Sequence, residues 1–204
     1  MPERLIPDNK PTITRREGLR GALLLGMTAG LAAAGDPANA QASGQSKVLV
    51  AYLTRSGNTR VIAGQISRAL EADLFEIETA KPYPADYRQT VAQAEKERQE
   101  DFEPPLKATV ANLQAYDTVF LGFPVWGETA PSVIRSFLSK HDLSGKTVRP
   151  FITYGGYGVG SSLAVLAAHS PGARIEPPFV MEADQERRTL ETVTSWLGGL
   201  PTIK

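Results

Sequence analysis

Cysteine is absent from the 204 residues. That excludes disulfides, thiolate nucleophiles, and iron–sulfur or zinc centres built on cysteine. Histidine is almost absent as well, since His141 and His169 are the whole complement and cannot build a histidine-rich metal site. Any redox chemistry must therefore come from a bound organic cofactor. An excess of charge is missing too: 22 basic side chains stand against 22 acidic ones. This balance predicts no polyanion-binding surface and no nucleic-acid partner. There are no runs of like charge, and 42% of the residues are hydrophobic, so a disordered tail is not indicated either. A folded, soluble domain is the default.

The first forty residues read as a signal rather than as part of a fold. Thr14-Arg15-Arg16-Glu17-Gly18-Leu19-Arg20 precedes Gly21 to Ala34, an uncharged stretch rich in glycine and alanine. Ala38-Asn39-Ala40 then gives a small-x-small cleavage pattern. The apolar stretch is shorter than the roughly 20 residues that span a hydrocarbon core, so no stable membrane span is expected after its removal. The paired arginines before a weakly hydrophobic stretch resemble the twin-arginine export signal, with Gly18 where a bulky residue is usual and Arg20 in place of the common lysine. The same residues would also suit a basic amphipathic start of a cytosolic protein or a retained anchor. The expected organisation is a signal at 1–40, a short linker at 41–46 and one domain at 47–204. Removing residues 1–40 deletes five basic and four acidic side chains, leaving 17 and 18, a formal charge of −1.

Five short, nearly continuous apolar runs are expected to be strands buried on both faces: Lys47 to Leu53, Leu74 to Thr79, Thr118 to Phe123, Thr147 to Thr153 and Arg174 to Val180. The last contains Pro177-Pro178, which cannot donate to a ladder, so it should be an edge strand or end early. Helical patterns lie between and after them. Thr59 to Leu70 aligns Ile62, Ile66, Ala69 and Leu70; Ser132 to Leu138 aligns Ile134, Phe137 and Leu138. Asp86 to Glu100 opens with the Asp86/Gln89 spacing of a capping box, turns Tyr87, Val91 and Ala94 inward, and leaves its EKERQE run as a solvated face. Ser161 to Ala168 and Asp184 to Leu197 complete the set. The alternation implies an α/β fold, a doubly wound parallel sheet with right-handed crossovers and helices on both faces. Ligands of such folds sit beyond the carboxyl ends of the strands.

Directly after the first run comes Thr54-Arg55-Ser56-Gly57-Asn58-Thr59, leading into the first helix. Hydroxyls and an amide crowd one turn, Gly57 lets the backbone curl closely, and free N–H groups at the helix start add donors. The loop lacks the glycine spacing of a dinucleotide fingerprint and the Gly-Lys-Ser/Thr ending of a triphosphate loop, so a monophosphate is the better fit. The same residue types also cap helices in proteins without ligands.

This loop resembles the phosphate loop of flavodoxins. The resemblance runs from Lys47 to about Leu197 and includes Gly122-Phe123-Pro124-Val125-Trp126-Gly127-Glu128-Thr129-Ala130-Pro131 and Thr153-Tyr154-Gly155-Gly156-Tyr157-Gly158. Pro82-Tyr83-Pro84-Ala85-Asp86-Tyr87 and His141-Asp142-Leu143-Ser144-Gly145-Lys146 are similar to a flavodoxin-like subfamily common in bacteria. The resemblance implies a five-stranded sheet of order 2-1-3-4-5 and flavin mononucleotide (FMN) as cofactor. It also implies a site made of Thr54, Arg55, Ser56, Gly57, Asn58 and Thr59 for the phosphate, with Pro124, Val125, Trp126, Gly127, Thr153, Tyr154, Gly155, Gly156, Tyr157 and Gly158 around the ring. Trp126 and Tyr157 or Tyr154 offer faces for stacking, although Trp126 could equally be core and Tyr157 a loop tip. Gly127 stands where flavodoxins often have a glycine whose peptide turns over toward the reduced flavin. Glu128, if charged and close, would disfavour a negatively charged reduced ring. Arg60 reads as surface charge, and His141 and His169 read as cations at helix ends.

Two redox functions follow from the resemblance, beside a third class, a flavin-binding or cargo protein without redox turnover. One is an exported FMN protein passing electrons between a redox partner protein and another acceptor, with no catalytic side chain needed. The other is an NAD(P)H-dependent reductase of quinones or other small acceptors. A charge of −1 departs from the strong acidity usual in electron-carrying flavodoxins, whereas export separates the protein from cytoplasmic NAD(P)H.

Overall fold

The runs at 47–53, 118–123 and 147–153 pair side by side as strands buried on both faces, whereas those at 74–79 and 174–180 form sheet edges that stay partly exposed, against expectation. The computed structural model describes residues 47–182 and 186–200, so the expected signal, the linker and the last four residues lie outside it. The strands are β1 Val48–Tyr52, β2 Asp73–Glu76, β3 Thr118–Pro124, β4 Thr147–Tyr154, β5 Arg174–Ile175 and β6 Phe179–Glu182. All pair in parallel in the order β2-β1-β3-β4-β5, with β6 also on β4. This is the expected order. The helices are α1 Asn58–Leu70, α2 Tyr87–Gln99, α3 Ser132–Lys140, α4 Ser162–His169 and α5 Glu186–Gly198.

The fifth run differs from expectation in an instructive way. It neither stays whole nor ends at the prolines; it splits into β5 and β6. Val148 faces Ile175 and Phe151 faces Phe179, so three residues, Glu176-Pro177-Pro178, stand opposite two on β4. Two residues without N–H groups cannot hold a ladder, and the extra residue bulges out before pairing resumes at the sheet edge.

Period-2 alternation along β1 builds two cores. Val48, Val50 and Tyr52 join Ile62 and Ile66 of α1 and Val193 of α5 on one face. Leu49, Ala51 and Leu53 join Ile134 and Phe137 of α3 and Leu166 of α4 on the other. On β3, Gly122 faces Phe151 of β4 in register, and a Cβ there would collide with the Phe151 ring, so the close approach requires glycine.

Three inward assignments need correction. Ala69 is exposed, because the buried stripe of α1 is Thr59, Ile62, Ala63, Gln65 and Ile66. On α2 the expected core residues Tyr87 and Val91 are 66% and 45% exposed. The buried positions of α2 are instead Thr90 and Glu97, the latter from the run read as solvated. Glu97 tolerates burial because its carboxyl accepts from Tyr83 Oη at 2.7 Å and Gln93 Nε2 at 2.8 Å. Asp86 does cap α2, accepting from Gln89 N–H at 2.9 Å.

His141 sits at the C-terminal end of α3 as expected, but buried and neutral rather than as a cation. Its Nε2 accepts from the Val110 N–H at 2.9 Å, so Nδ1 carries the proton and donates to the Phe137 carbonyl at 2.7 Å. Burial lowers its pKa from the usual 6.5, with the Phe137 carbonyl opposing the shift. The folded-state pKa thus lies below the unfolded one, and the unfolded chain takes up the extra proton. The contribution is fully present above pH 6.5 and is lost as pH falls through the lowered folded value, at about 1.4 kcal/mol per unit of depression. We expect the gap in urea midpoint between wild type and His141→Gln to narrow between pH 8 and pH 5; a gap independent of pH would contradict a buried neutral imidazole.

Candidate functional site

Strand order reverses between β1 and β3, and the loops leaving their carboxyl ends part there. A cleft of about 460 Å3 opens at this point. That volume lies in the range of small-molecule sites, roughly 300 to 1,000 Å3. The loops after β1, β3 and β4 form its floor and one side, and α2 forms the other.

The loop after β1 is shaped by two contacts within the chain. Thr54 Oγ1 accepts the Gly57 N–H at 3.1 Å, and Gly57 takes a left-handed φ of 98° that other residues would adopt only under strain. Gly57 therefore begins α1 without a side-chain cap, and the first turn contains no acidic residue. Val61 N–H is the first to find a helical acceptor, at Gly57 O. The N–H groups of Asn58, Thr59 and Arg60 have no acceptor among the described residues. They point out of the helix end, where the macrodipole adds a partial positive charge.

The candidate phosphate-loop side chains divide. Ser56 and Asn58 line the cleft, and neither side chain makes a hydrogen bond among the described residues. Thr59 is buried, its Oγ1 2.9 Å from Thr153 Oγ1, which fixes the start of α1 to the end of β4. Arg55 also lines the cleft, but leans away from the helix end: its Nη2 donates to Ala85 O at 3.2 Å and its guanidinium lies 5.3 Å over the Tyr87 ring. Arg60 is paired with Glu76 at 2.6 Å, where Tyr52 Oη also donates at 2.9 Å.

After β3 the chain makes a tight hairpin. Trp126 N–H donates to Thr129 O at 3.0 Å, and the central residues Gly127 and Glu128 have φ of 58° and 62°. Two positive φ values define a type I′ turn, which usually selects Asn or Gly at both positions. Glu128 is held there because its carbonyl accepts the Ser161 N–H at 2.9 Å, and Ser161 Oγ lies 2.8 Å from Thr129 Oγ1. A Cβ on Gly160 would collide with the Glu128 carbonyl, so the loops after β3 and β4 are locked together.

Pro124, Val125, Trp126 and Gly127 line the cleft, as do Thr153, Tyr154 and Gly155. Thr54, Gly57, Thr59, Gly156, Tyr157 and Gly158 do not form its walls, and Tyr157 is 84% exposed. Trp126 is half-buried and oriented by Tyr83, whose ring meets it edge-on at 5.0 Å and 88°. Tyr83 is held in turn by the Glu97 carboxyl; burial first, and that hydrogen bond second, push its phenol well above the ordinary range.

The α2 wall was missed by sequence reasoning. Tyr87, Val91, Ala94 and Arg98 line the cleft along one face of α2. The stripe was visible in the spacing 87, 91, 94, 98, but an apolar stripe looks the same whether it meets a core or a cleft.

The sequence model of the flavodoxin family matches residues 47–199. A solved structure given as a flavoprotein from Bacteroides eggerthii DSM 20697 is 32% identical, covers 75% of this chain and 96% of its own, and superposes with a TM-score of 0.65. Another from Bacteroides uniformis ATCC 8492 is 30% identical over 75% of this chain and 98% of its own, with a TM-score of 0.67. The fold is shared with a flavoprotein in complex with FMN from Lactobacillus acidophilus NCFM, at 20% identity, 72% and 99% coverage and a TM-score of 0.58. No match was found among functionally curated proteins. Phosphate-loop spacing, sheet order, family match and the two Bacteroides structures agree: the chain belongs to the flavodoxin family.

Proposed function

We propose that this chain binds FMN in the cleft beside α1 and carries electrons between partners outside the cytoplasm. The observation that carries the reading is the uncapped first turn of α1. Three N–H groups without acceptors, the Ser56 hydroxyl and the Asn58 amide converge where the cleft meets the helix end. Such a donor set fits a phosphate dianion. Each hydrogen bond to a charged acceptor contributes about 1.5 to 3 kcal/mol and the dipole about 0.3 to 1, enough together to offset desolvation.

The remaining walls suit a flat ring. Trp126 and Tyr154 bring aromatic surface, Val91 and Ala94 bring aliphatic surface, and Pro124 to Gly127 present backbone groups to its edge. Tyr83 and Glu97 hold Trp126 in orientation. The bound flavin would supply the one- and two-electron chemistry. Gly127 leaves the backbone of the turn a choice, since a glycine at this position suits a type II′ turn as well as I′. Turning over the 127–128 peptide would return Glu128 to a negative φ.

Export rests on Thr14 to Ala40, outside the described residues, and on the logic that a cofactor is inserted before a folded protein crosses the membrane. Among the described residues no helix is long and apolar enough to span a bilayer. The near-neutral mature sequence supports a second reading, an NAD(P)H-dependent reductase of small acceptors, because docking on a basic carrier partner would favour an acidic surface.

Titrating the apoprotein with FMN and following flavin fluorescence should show Ser56→Ala and Asn58→Ala each weakening binding by about ten- to a hundredfold. An unchanged dissociation constant in both would remove the α1 end as the phosphate site. For the carrier reading, mixing holoprotein with NADH or NADPH in a stopped-flow instrument should leave the flavin oxidised until a separate reductase is added. Rapid bleaching by either nucleotide alone would favour the reductase.

A further inference from the structure

A second cleft of about 430 Å3 adjoins the first, and Arg98 and Gly127 belong to the walls of both. It is bounded by the 127–129 turn, the start of α3 and the loop after β4 at Gly160 and Ser161. Its polar lining comes from Thr129, Ser132, Ser161, Glu128 and two arginines, Arg98 and Arg135.

The two arginines differ in how their charge is met. Arg135 is 12% exposed and engaged at both terminal nitrogens: Nη1 pairs with Asp101 at 2.9 Å, and Nη2 donates to Ser132 Oγ at 3.1 Å. The Arg98 guanidinium makes no hydrogen bond or ion pair among the described residues, although the residue is half-buried. It lies against the Gly127 backbone so closely that a Cβ there would collide with it. A guanidinium beside a cleft with no acceptor from the described residues keeps its forked donors free for an anion.

Arg98 stands at the opposite end of α2 from the Arg55 contact. Arg55 reaches the Tyr87 ring at the start of α2, whereas Arg98 stands eleven residues later, about 16 Å along the helix axis. Glu128 also lines the second cleft and opposes an anion, but it is exposed, where water screens its charge more than that of Arg98.

We propose that the second cleft binds a small carboxylate-bearing organic molecule, with Arg98 as the group that recognises the carboxylate beside the flavin cleft. This adds a ligand class to the flavoprotein reading and rests on that reading for its redox meaning, though not for the binding itself. Charge-assisted, two-pronged hydrogen bonds make arginine selective for a carboxylate over an amide of the same shape.

The test is calorimetric titration of the holoprotein, in excess FMN, with benzoate and with benzamide. Benzoate should bind and benzamide should bind at least roughly tenfold more weakly. Arg98→Met should weaken benzoate by a similar factor, Arg98→Lys by less, and Glu128→Gln should tighten it. Should Arg98→Met fail to fold, the benzamide comparison and Glu128→Gln still decide. No heat with benzoate, equal binding of benzamide, or a benzoate affinity unmoved by Arg98→Met would overturn the proposal. Flavin absorbance recorded on the same samples separates the two readings. Benzoate binding by a protein that takes up no FMN would sink the flavoprotein reading alone, and FMN without benzoate binding would sink the carboxylate site alone.

Discussion

A helix that begins on a left-handed glycine, with no side-chain cap and no acidic residue to balance its dipole, concentrates donors at one end of the molecule. Thr54 closes the loop on Gly57, Thr59 ties the helix start to Thr153 of β4, and both contacts hold the N–H groups of residues 58–60 facing outward. The Thr59–Thr153 contact exists because β1 and β4 lie in one parallel sheet, with β3 between them, so that their carboxyl ends meet at the same edge. The sheet, with a core on either face, is the rigid frame; the site is what its loops do where the strand order reverses.

The second half of the site depends on a different device. The Gly127-Glu128 turn keeps a non-glycine residue at positive φ, a conformation that costs on the order of 1 to 2 kcal/mol. The cost is offset by the bond from Ser161 N–H to the Glu128 carbonyl and by the close fit of Gly160. The same turn places Trp126 against Tyr83 and Gly127 against Arg98. Gly127 of this turn lines two adjoining clefts of different chemistry: one with an aromatic and aliphatic wall beside α1, and a polar one at the start of α3.

Much of this was legible in the sequence, because strands buried on both faces leave continuous apolar runs and the loop after β1 carries its chemistry in consecutive residues. The parallel pairing and the placement of Ser56, Asn58 and Trp126 at the strand ends follow from those signals, and the strand order from the resemblance to flavodoxins. What was not legible depends on contacts between distant segments. Tyr87 and Val91 form an apolar stripe whose partner is an open cleft rather than a core, a distinction that periodicity does not encode. Glu97 is buried because Tyr83, fourteen positions earlier, donates to it. His141 is buried, which lowers its pKa, and a backbone N–H at Val110, thirty-one positions earlier, occupies its second nitrogen. The split of the fifth strand was half legible: Pro177-Pro178 announced a break, but only the pairing of Phe179 with Phe151 shows that the sheet resumes.

The proposed anchoring of a flavin by its phosphate at α1 unites the uncapped helix, the aromatic wall and the export signal proposed for residues 1–40. The most direct measurement is the visible absorption spectrum of the purified mature protein, before and after incubation with FMN. A yellow protein, or a colourless one that takes up one equivalent of FMN and loses that capacity when Ser56 and Asn58 are both replaced by alanine, is the predicted result. A protein that stays colourless through the whole titration would contradict it.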